Sequence, residues 1–276
     1  MVKKKSLLTL IMQYFVMILA AIFALLPIVT VLFNSFKTKI ELYETKPFTA
    51  PENFFNFYNY KYAWTTGDFV HAFLNTIFIL VVALFLSINF SAMIGFVLHR
   101  FDFKGKNLIK GMFTLTVFIP VVTTQVIVFQ MIYAMGLYNT IFAPLLLYIG
   151  VDIIAIYTML QTYDSIPKSI DESGMIDGAS YYTIYFKLIY PLLKPAIASL
   201  VIIKGIGIYN DFYIPNLYLQ AEVNTVATAL YRFTSSLSAP QEVVSAAVVI
   251  VMIPTIVLFL ILQKYFYSGF TAGSVK

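Results

Sequence analysis

PKSIDESGMIDGASYYTIYFKLIYPLLKP, residues 167–195, is a polar, structured-looking island between two long apolar runs, and the reading of the whole chain turns on it. A loop that only joins membrane helices needs turn residues and little else. This one holds a helix start, a glycine break and a second amphipathic turn. Ser169-Ile170-Asp171-Glu172 fits a capping box, with Ser169 on the first amides and Glu172 reaching back. Asp171 and Glu172 also lie at the positive end of the helix dipole. Gly178 is placed to end that helix. Ser180 can cap another, on which Tyr182, Tyr185, Phe186 and Ile189 recur along one apolar face. Pro191 and Pro195 punctuate the start of the next apolar run. Ser173, Gly174, Gly178 and Ala179 are small and allow close approach by a neighbouring surface. The residues alone leave two readings open: a helical hairpin lying on a membrane face, or an element that docks on a partner outside the membrane.

Working outward, the chain of 276 residues is 60% apolar and 11% charged, with a mean hydropathy of +0.85. Soluble domains run near 45–50% apolar and about 25% charged, so the solvent for this chain is lipid. There is no cysteine, which removes disulfides, thiolate nucleophiles and cysteine metal sites. The net charge of +5 forms no basic stripe interleaved with aromatics, so nucleic acid is not an expected partner.

A membrane-crossing helix takes about 20 mostly apolar residues. The charge-free runs predict an all-α, polytopic, single-domain membrane protein with six spans near 7–33, 72–98, 110–134, 141–163, 195–215 and 243–263. The break Gly136–Thr140 divides the third from the fourth. Lysine and arginine near helix ends set orientation. With the N-terminus in the cytoplasm, twelve of the 18 basic residues fall inside, five outside, and Lys204 lies within a span. Both termini and the 167–195 island are then cytoplasmic. A cleaved signal peptide is the competing reading of Lys3–Lys5 and the first apolar run, but that run exceeds the usual signal core. The external loop 34–69 is rich in Phe, Tyr and Asn; it reads either as an interfacial aromatic cap or as a contact for an external partner.

Charges inside a span need a reason, because one at mid-membrane costs about 2.5–3.5 kcal/mol. Lys204 and Asp211 are seven residues apart on one helix face, and Asp152 is another candidate partner for Lys204. An interhelical ion pair, snorkelling or a functional role would each explain Lys204. His71 and His99 sit at opposite ends of the second span, too far apart to share a metal. No metal site and no catalytic grouping is expected.

The run Glu172-Ser-Gly-Met-Ile-Asp-Gly-Ala-Ser180, with Pro191 following, resembles the EAA loop of permease subunits in binding-protein-dependent ABC importers. Asn34-Ser-Phe-Lys-Thr38, Gly136-Leu-Tyr-Asn-Thr140, Tyr209-Asn-Asp-Phe212 and the ending Gly269–Lys276 extend the likeness to the second permease of maltose-type sugar importers. Ser173-Gly174 replaces the usual Ala-Ala pair and should weaken the helix by about 1 kcal/mol. The resemblance implies a type I importer permease fold in a prokaryotic plasma membrane. It also implies partners: a second homologous permease, two ATP-binding cassette ATPases that hold ATP and Mg, and an extracytoplasmic solute-binding protein. Glu172, Ser173, Gly174, Asp177, Gly178, Ala179 and Pro191 would belong to the coupling element. Gly273, Ser274, Val275 and Lys276 would reach the ATPase, unless the tail simply frays. Tyr209, Asn210 and Asp211, with Gln125, Gln130 and Tyr133, are pathway-lining candidates for a sugar; ordinary interhelical hydrogen bonds are the competing explanation. The chain has no G-x-x-x-x-G-K-[ST] motif and so no phosphate cradle of that type. A rival reading is an ion-coupled secondary transporter using Lys204, Asp211 and Asp152.

Overall fold

A computed structural model describes residues 7–150, 152–220, 222–235 and 239–272. Those residues contain helices and no strand. Two compact units are present: Met1–Val70 with Ala229–Pro254, and His71–Thr228 with Thr255–Lys276.

The first unit begins with α1 (Leu7–Phe36), a helix that is exposed along most of its length. Three short segments follow: α2 (Lys39–Glu44), a loop, and α3 (Tyr58–Thr66). Thr38 caps α2 in a complete capping box with Glu41, the reciprocal pairing expected of T-x-x-E. Asparagines of the 34–69 loop bind backbone. Asn59 donates to the carbonyls of Ser35 (3.0 Å) and Lys37 (2.8 Å), and Asn56 donates to that of Phe36 (3.0 Å). Lys37 is fully buried, its Nζ donating to Thr45 Oγ1 at 2.9 Å. The Asn34–Thr38 motif is therefore a folded knot at the end of α1.

The second unit contains most of α4 (Phe69–Arg100), then α5 (Lys106–Thr116), α6 (Val121–Ala134), α7 (Phe142–Ile149) and α8 (Ile153–Asp164). After these come α9 (Ser169–Ile176), α10 (Tyr181–Thr183), a π turn at Ile184–Ile189, a 3-10 turn at Tyr190–Leu193, α11 (Lys194–Asn210) and α12 (Tyr213–Tyr218). The helices α13 (Val226–Ser235) and α14 (Gln241–Ala272) each contribute to both units. Among the described residues, five helical stretches are long and apolar enough to cross a membrane: Leu7–Phe36, Phe69–Arg100, Phe142–Asp164, Tyr181–Asn210 and Gln241–Ile261.

The expected six continuous spans are corrected at three places. The third is broken between Thr116 and Val121, because Pro120 has no N–H and disfavours helix at Ile119. The fourth is interrupted around Gly150–Asp152, where Asp152 restarts the helix by accepting the Ala155 amide at 3.1 Å. The fifth ends at Asn210 rather than 215, and Asp211 starts α12 by accepting the Tyr213 amide at 2.8 Å. Its helical winding also begins earlier, at Tyr181. There the Tyr190 amide bonds to Tyr185, five residues back, a widening that accommodates the ring of Pro191.

The core of this unit joins α4 to α8 and α11 through Ile79, Ala83, Ala92, Met159, Leu193 and Leu200, all buried. A Cβ at Gly95 would sit 3.1 Å from Met159 Cβ and 3.1 Å from the Tyr163 ring. Small residues on α4 thus let α8 approach closely, as helix packing in lipid requires.

Candidate functional site

The 169–193 segment is the best-built polar feature of the chain. α9 begins one residue ahead of the expected cap. Lys168 is its N-cap and makes no side-chain cap bond. The capping box at Ser169 and Glu172 is therefore absent: Ser169 already has its place inside the helix, and its carbonyl accepts from Ser173 Oγ at 2.8 Å. Glu172 is exposed. The helix end is as expected. Gly178 has φ +75°; its amide donates to Met175 O (3.0 Å), and that of Ala179 donates to Gly174 O (2.9 Å). These two bonds form a Schellman motif. Ser180 then caps the next turn, its Oγ accepting the Thr183 amide at 3.3 Å.

Gly174 is buried, and a Cβ there would lie 2.9 Å from Leu188 Cδ1 and 3.0 Å from Ile184 Cγ1. The expectation that Ser173-Gly174 only loosens the helix is thereby amended: the glycine lets α9 sit directly on the π turn. The apolar face also differs from the helical-wheel reading. Ile184, Tyr185 and Ile189 point inward, whereas Tyr182 is 73% exposed, because the π winding rotates the register. What faces outward is Glu172, Ser173, Met175, Ile176 and Asp177, with Ile176 87% exposed. Pro191 lies in the first turn of the 3-10 segment.

Behind α9 stands a group that spacing could not reveal. Arg100, the last residue of α4, makes an ion pair from Nε to Asp171 Oδ2 at 2.8 Å, with side chains 6% and 10% exposed. Its Nη2 donates to the Ile166 carbonyl at 3.0 Å. Burial raises the Asp171 carboxyl above its ordinary pKa, and Arg100 opposes that rise. Beside the pair, His99 Nε2 meets Asp164 Oδ1 at 2.9 Å, and the Phe101 ring packs edge-on against Tyr181 at 5.0 Å. A cleft of about 160 Å³ opens there, lined by Phe96, Arg100, Phe101, Lys168, Asp171, Glu172, Met175 and Tyr181.

The charges expected within the spans fall into two separate sets. Lys204 Nζ meets Asp152 Oδ2 at 2.9 Å, the side chains 13% and 22% exposed. Asp211 instead accepts from Tyr148 Oη at 2.8 Å. Lys204, Asp152 and Asp211 therefore do not converge. The remaining pathway candidates differ in their surroundings. Gln125 donates to Tyr218 Oη at 2.7 Å, Tyr209 is buried, and Gln130, Tyr133 and Asn210 are exposed. The break Gly136–Thr140 is a second Schellman turn, with Gly136 at φ +70°. Asn139 there accepts the Gln220 amide at 2.8 Å. The tail residues Gly273, Ser274, Val275 and Lys276 lie outside the described residues. No cluster of three metal-ligating side chains is present among the described residues.

Residues 91–271 match the model of the family described as binding-protein-dependent transport system inner membrane component. The chain is 31% identical to the melibiose/raffinose/stachyose import permease protein MelC of Bacillus subtilis over 80% of this chain and 81% of that one. It is also 31% identical to the arabinooligosaccharides transport system permease protein AraQ of Halalkalibacterium halodurans, over 79% and 78%. Its fold matches a chain in the crystal structure of a bacterial ABC transporter involved in the import of the acidic polysaccharide alginate. That match has a TM-score of 0.84, 23% identity, and coverage of 95% of this chain and 99% of the other.

Proposed function

The chain belongs to the family of binding-protein-dependent transport system inner membrane components, and on that footing we propose that it is a permease subunit of an ATP-driven ABC importer for a sugar or oligosaccharide. The observation that carries the reading is the internally ordered segment of residues 169–193, capped at Ser180 and closed at Gly178, on a chain whose relatives are sugar permeases. The family is one of transport components, so the chain works within a complex of several subunits as a multi-pass membrane protein.

The finer assignment is our own reading. The companions are a second, homologous permease, two ATPase subunits that bind ATP and Mg, and an extracytoplasmic solute-binding protein. This chain is of the second-permease, maltose-importer type, has no ATPase site of its own, and keeps both termini in the cytoplasm. Glu172, Ser173, Gly174, Asp177, Gly178, Ala179 and Pro191 make up the element that seats in the ATPase; Met175 and Ile176, exposed on the same helix, supply its apolar contact. Movement of the ATPases drags this element and rocks the permease between inward- and outward-facing states. Tyr209, Asn210, Asp211, Gln125, Gln130 and Tyr133 are offered as the wall of the sugar path, and the tail 273–276 as a second ATPase contact. The separation of Asp211 from Lys204 and Asp152 speaks against an ion-coupled carrier.

Because the chain has no cysteine, Ile176→Cys gives a single reactive thiol. Its cross-linking in native membranes should capture a nucleotide-hydrolysing subunit, and proteoliposomes of the purified complex should accumulate labelled oligosaccharide only with internal ATP. Capture of lipid alone, or uptake driven by a proton gradient without ATP, would refute the proposal.

A further inference from the structure

We infer that Arg100 and Asp171 are positioning residues that lock the coupling helix to the end of α4, making the second span the lever that carries nucleotide-driven movement into the membrane. The inference rests on the coupling role proposed above.

Three segments meet at one guanidinium. Arg100 terminates α4, Asp171 is in the first turn of α9, and Ile166 follows the end of α8. Nε holds Asp171 Oδ2 at 2.8 Å and Nη2 holds the Ile166 carbonyl at 3.0 Å. The ion pair is almost wholly shielded, at 6% and 10% side-chain exposure. In such a setting a charge left alone is heavily disfavoured, so the two helices cannot part cheaply. The contact is an ion pair without an aligned hydrogen bond from Nε, so charge and reach hold it, and a planar fork serves two acceptors that a lysine could not serve together.

The other contacts of α9 are apolar packing without a charge. Beyond the pair, the carrier of α9 is the π turn, against which Gly174 packs through flexible side-chain ends. Phe101 touches Tyr181 by one ring edge, at 5.0 Å. A load applied to the exposed side of α9 at Ile176 therefore reaches α4 directly through Arg100 and indirectly through the π turn, whose Tyr185 ring packs 5.0 Å from that of Phe96 on α4. Asp171 faces away from the exposed docking side, so its role is separable from contact with the ATPase.

The test uses the assembled complex, with ATP plus vanadate as the probe. Nitroxides at Ser169→Cys, exposed on the coupling helix and outside its docking set, and at Phe85→Cys, on the exposed side of α4, report the two helices on a chain with no native thiol. In the otherwise unaltered chain the distance distribution should be narrow and the same with and without vanadate-trapped nucleotide. Asp171→Asn and Arg100→Met should at least double its width in the trapped state while the ATPase subunits still co-purify, and Arg100→Lys should fall between. Unchanged distributions in these variants would overturn the inference. So would equal broadening by Phe101→Ala, or loss of ATPase from all three pair variants, which would make the pair a folding determinant only. Failure of the unaltered chain to bring down any ATPase would instead refute the proposed function.

Discussion

Removing either member of the Lys204–Asp152 pair should destabilise the protein strongly, and removing both should restore most of the loss. The contact is 2.9 Å long with side chains 13% and 22% exposed. At that separation, an effective dielectric of 20 gives an attraction of about 6 kcal/mol. Desolvating two ions costs several kcal/mol each, so the net worth of the pair is small. Breaking it is another matter. A buried charge without its partner costs about 3–5 kcal/mol; a lone Asp152 would keep the favourable field of the α8 N-terminus, which a lone Lys204 would lack. Asp152→Asn is the appropriate change, because its retained oxygen still accepts the Ala155 amide and the helix cap survives. Lys204→Met keeps the length of the chain and drops the charge. Each single variant is expected to lose about 3 kcal/mol or more, and the double variant to lie within about 1 kcal/mol of the parent. The measurement is a double-mutant cycle by SDS unfolding in mixed micelles followed by circular dichroism, and the expected coupling is at least about 2 kcal/mol. Additive single effects would show that the pair is not a mutual neutralisation and would refute the reasoning. Under the rival ion-coupled mechanism the double variant would also lose uptake; here it retains it.

Gly178→Ala should cost about 1–2 kcal/mol, since φ is +75° there and an L side chain is disfavoured in that region. Gly178→Asn should cost less; because a Cβ would meet nothing within 4 Å, equal losses in stability and ATP-driven uptake would mean that sterics rather than backbone conformation governs the site. Gly174→Ala should destabilise despite its better helix propensity, as overpacking costs about 1–3 kcal/mol against a gain of about 1 kcal/mol; Ser173→Ala, on the exposed side, should be nearly neutral by thermal unfolding. Tyr148→Phe removes a hydrogen bond to a carboxylate, worth about 1.5–3 kcal/mol, and should lower thermal stability. Asp211→Asn keeps the acceptor for the Tyr213 amide and should change uptake kinetics more than the amount of protein inserted, measured by initial rates against membrane content.

The turns of the 169–193 segment were largely legible because their signals are local. A glycine that must take positive φ, a serine before a helical turn and a proline after it each act within a few residues, so Gly178, Ser180 and Pro191 stand where their chemistry required. The capping box shows where local reading stops. Among the stretches that carry the signature, T-x-x-E at Thr38–Glu41 is capped and S-x-x-E at Ser169–Glu172 is not. In the second, Asp171 is drawn inward by Arg100, 71 positions earlier, and the helix starts before Ser169 can leave it. Pro120 and Gly150, both inside charge-free runs, were readable signals for the breaks in the third and fourth spans, but hydropathy alone passed over them. Sequence reading had no signal that Asn56 and Asn59, in the aromatic-rich 34–69 loop, hold the end of α1, since their partners lie 20 or more positions away.

Composition and charge spacing determined that this chain lives in lipid as helices and carries a polar, internally capped segment between two apolar runs, since burying so much apolar surface in water is impossible and turn chemistry acts locally. Which charges meet was decided only by the tertiary structure. Lys204 chose Asp152 over Asp211, and Arg100 reached Asp171, because pairing in a low dielectric depends on distances between helices, which no spacing along the chain encodes.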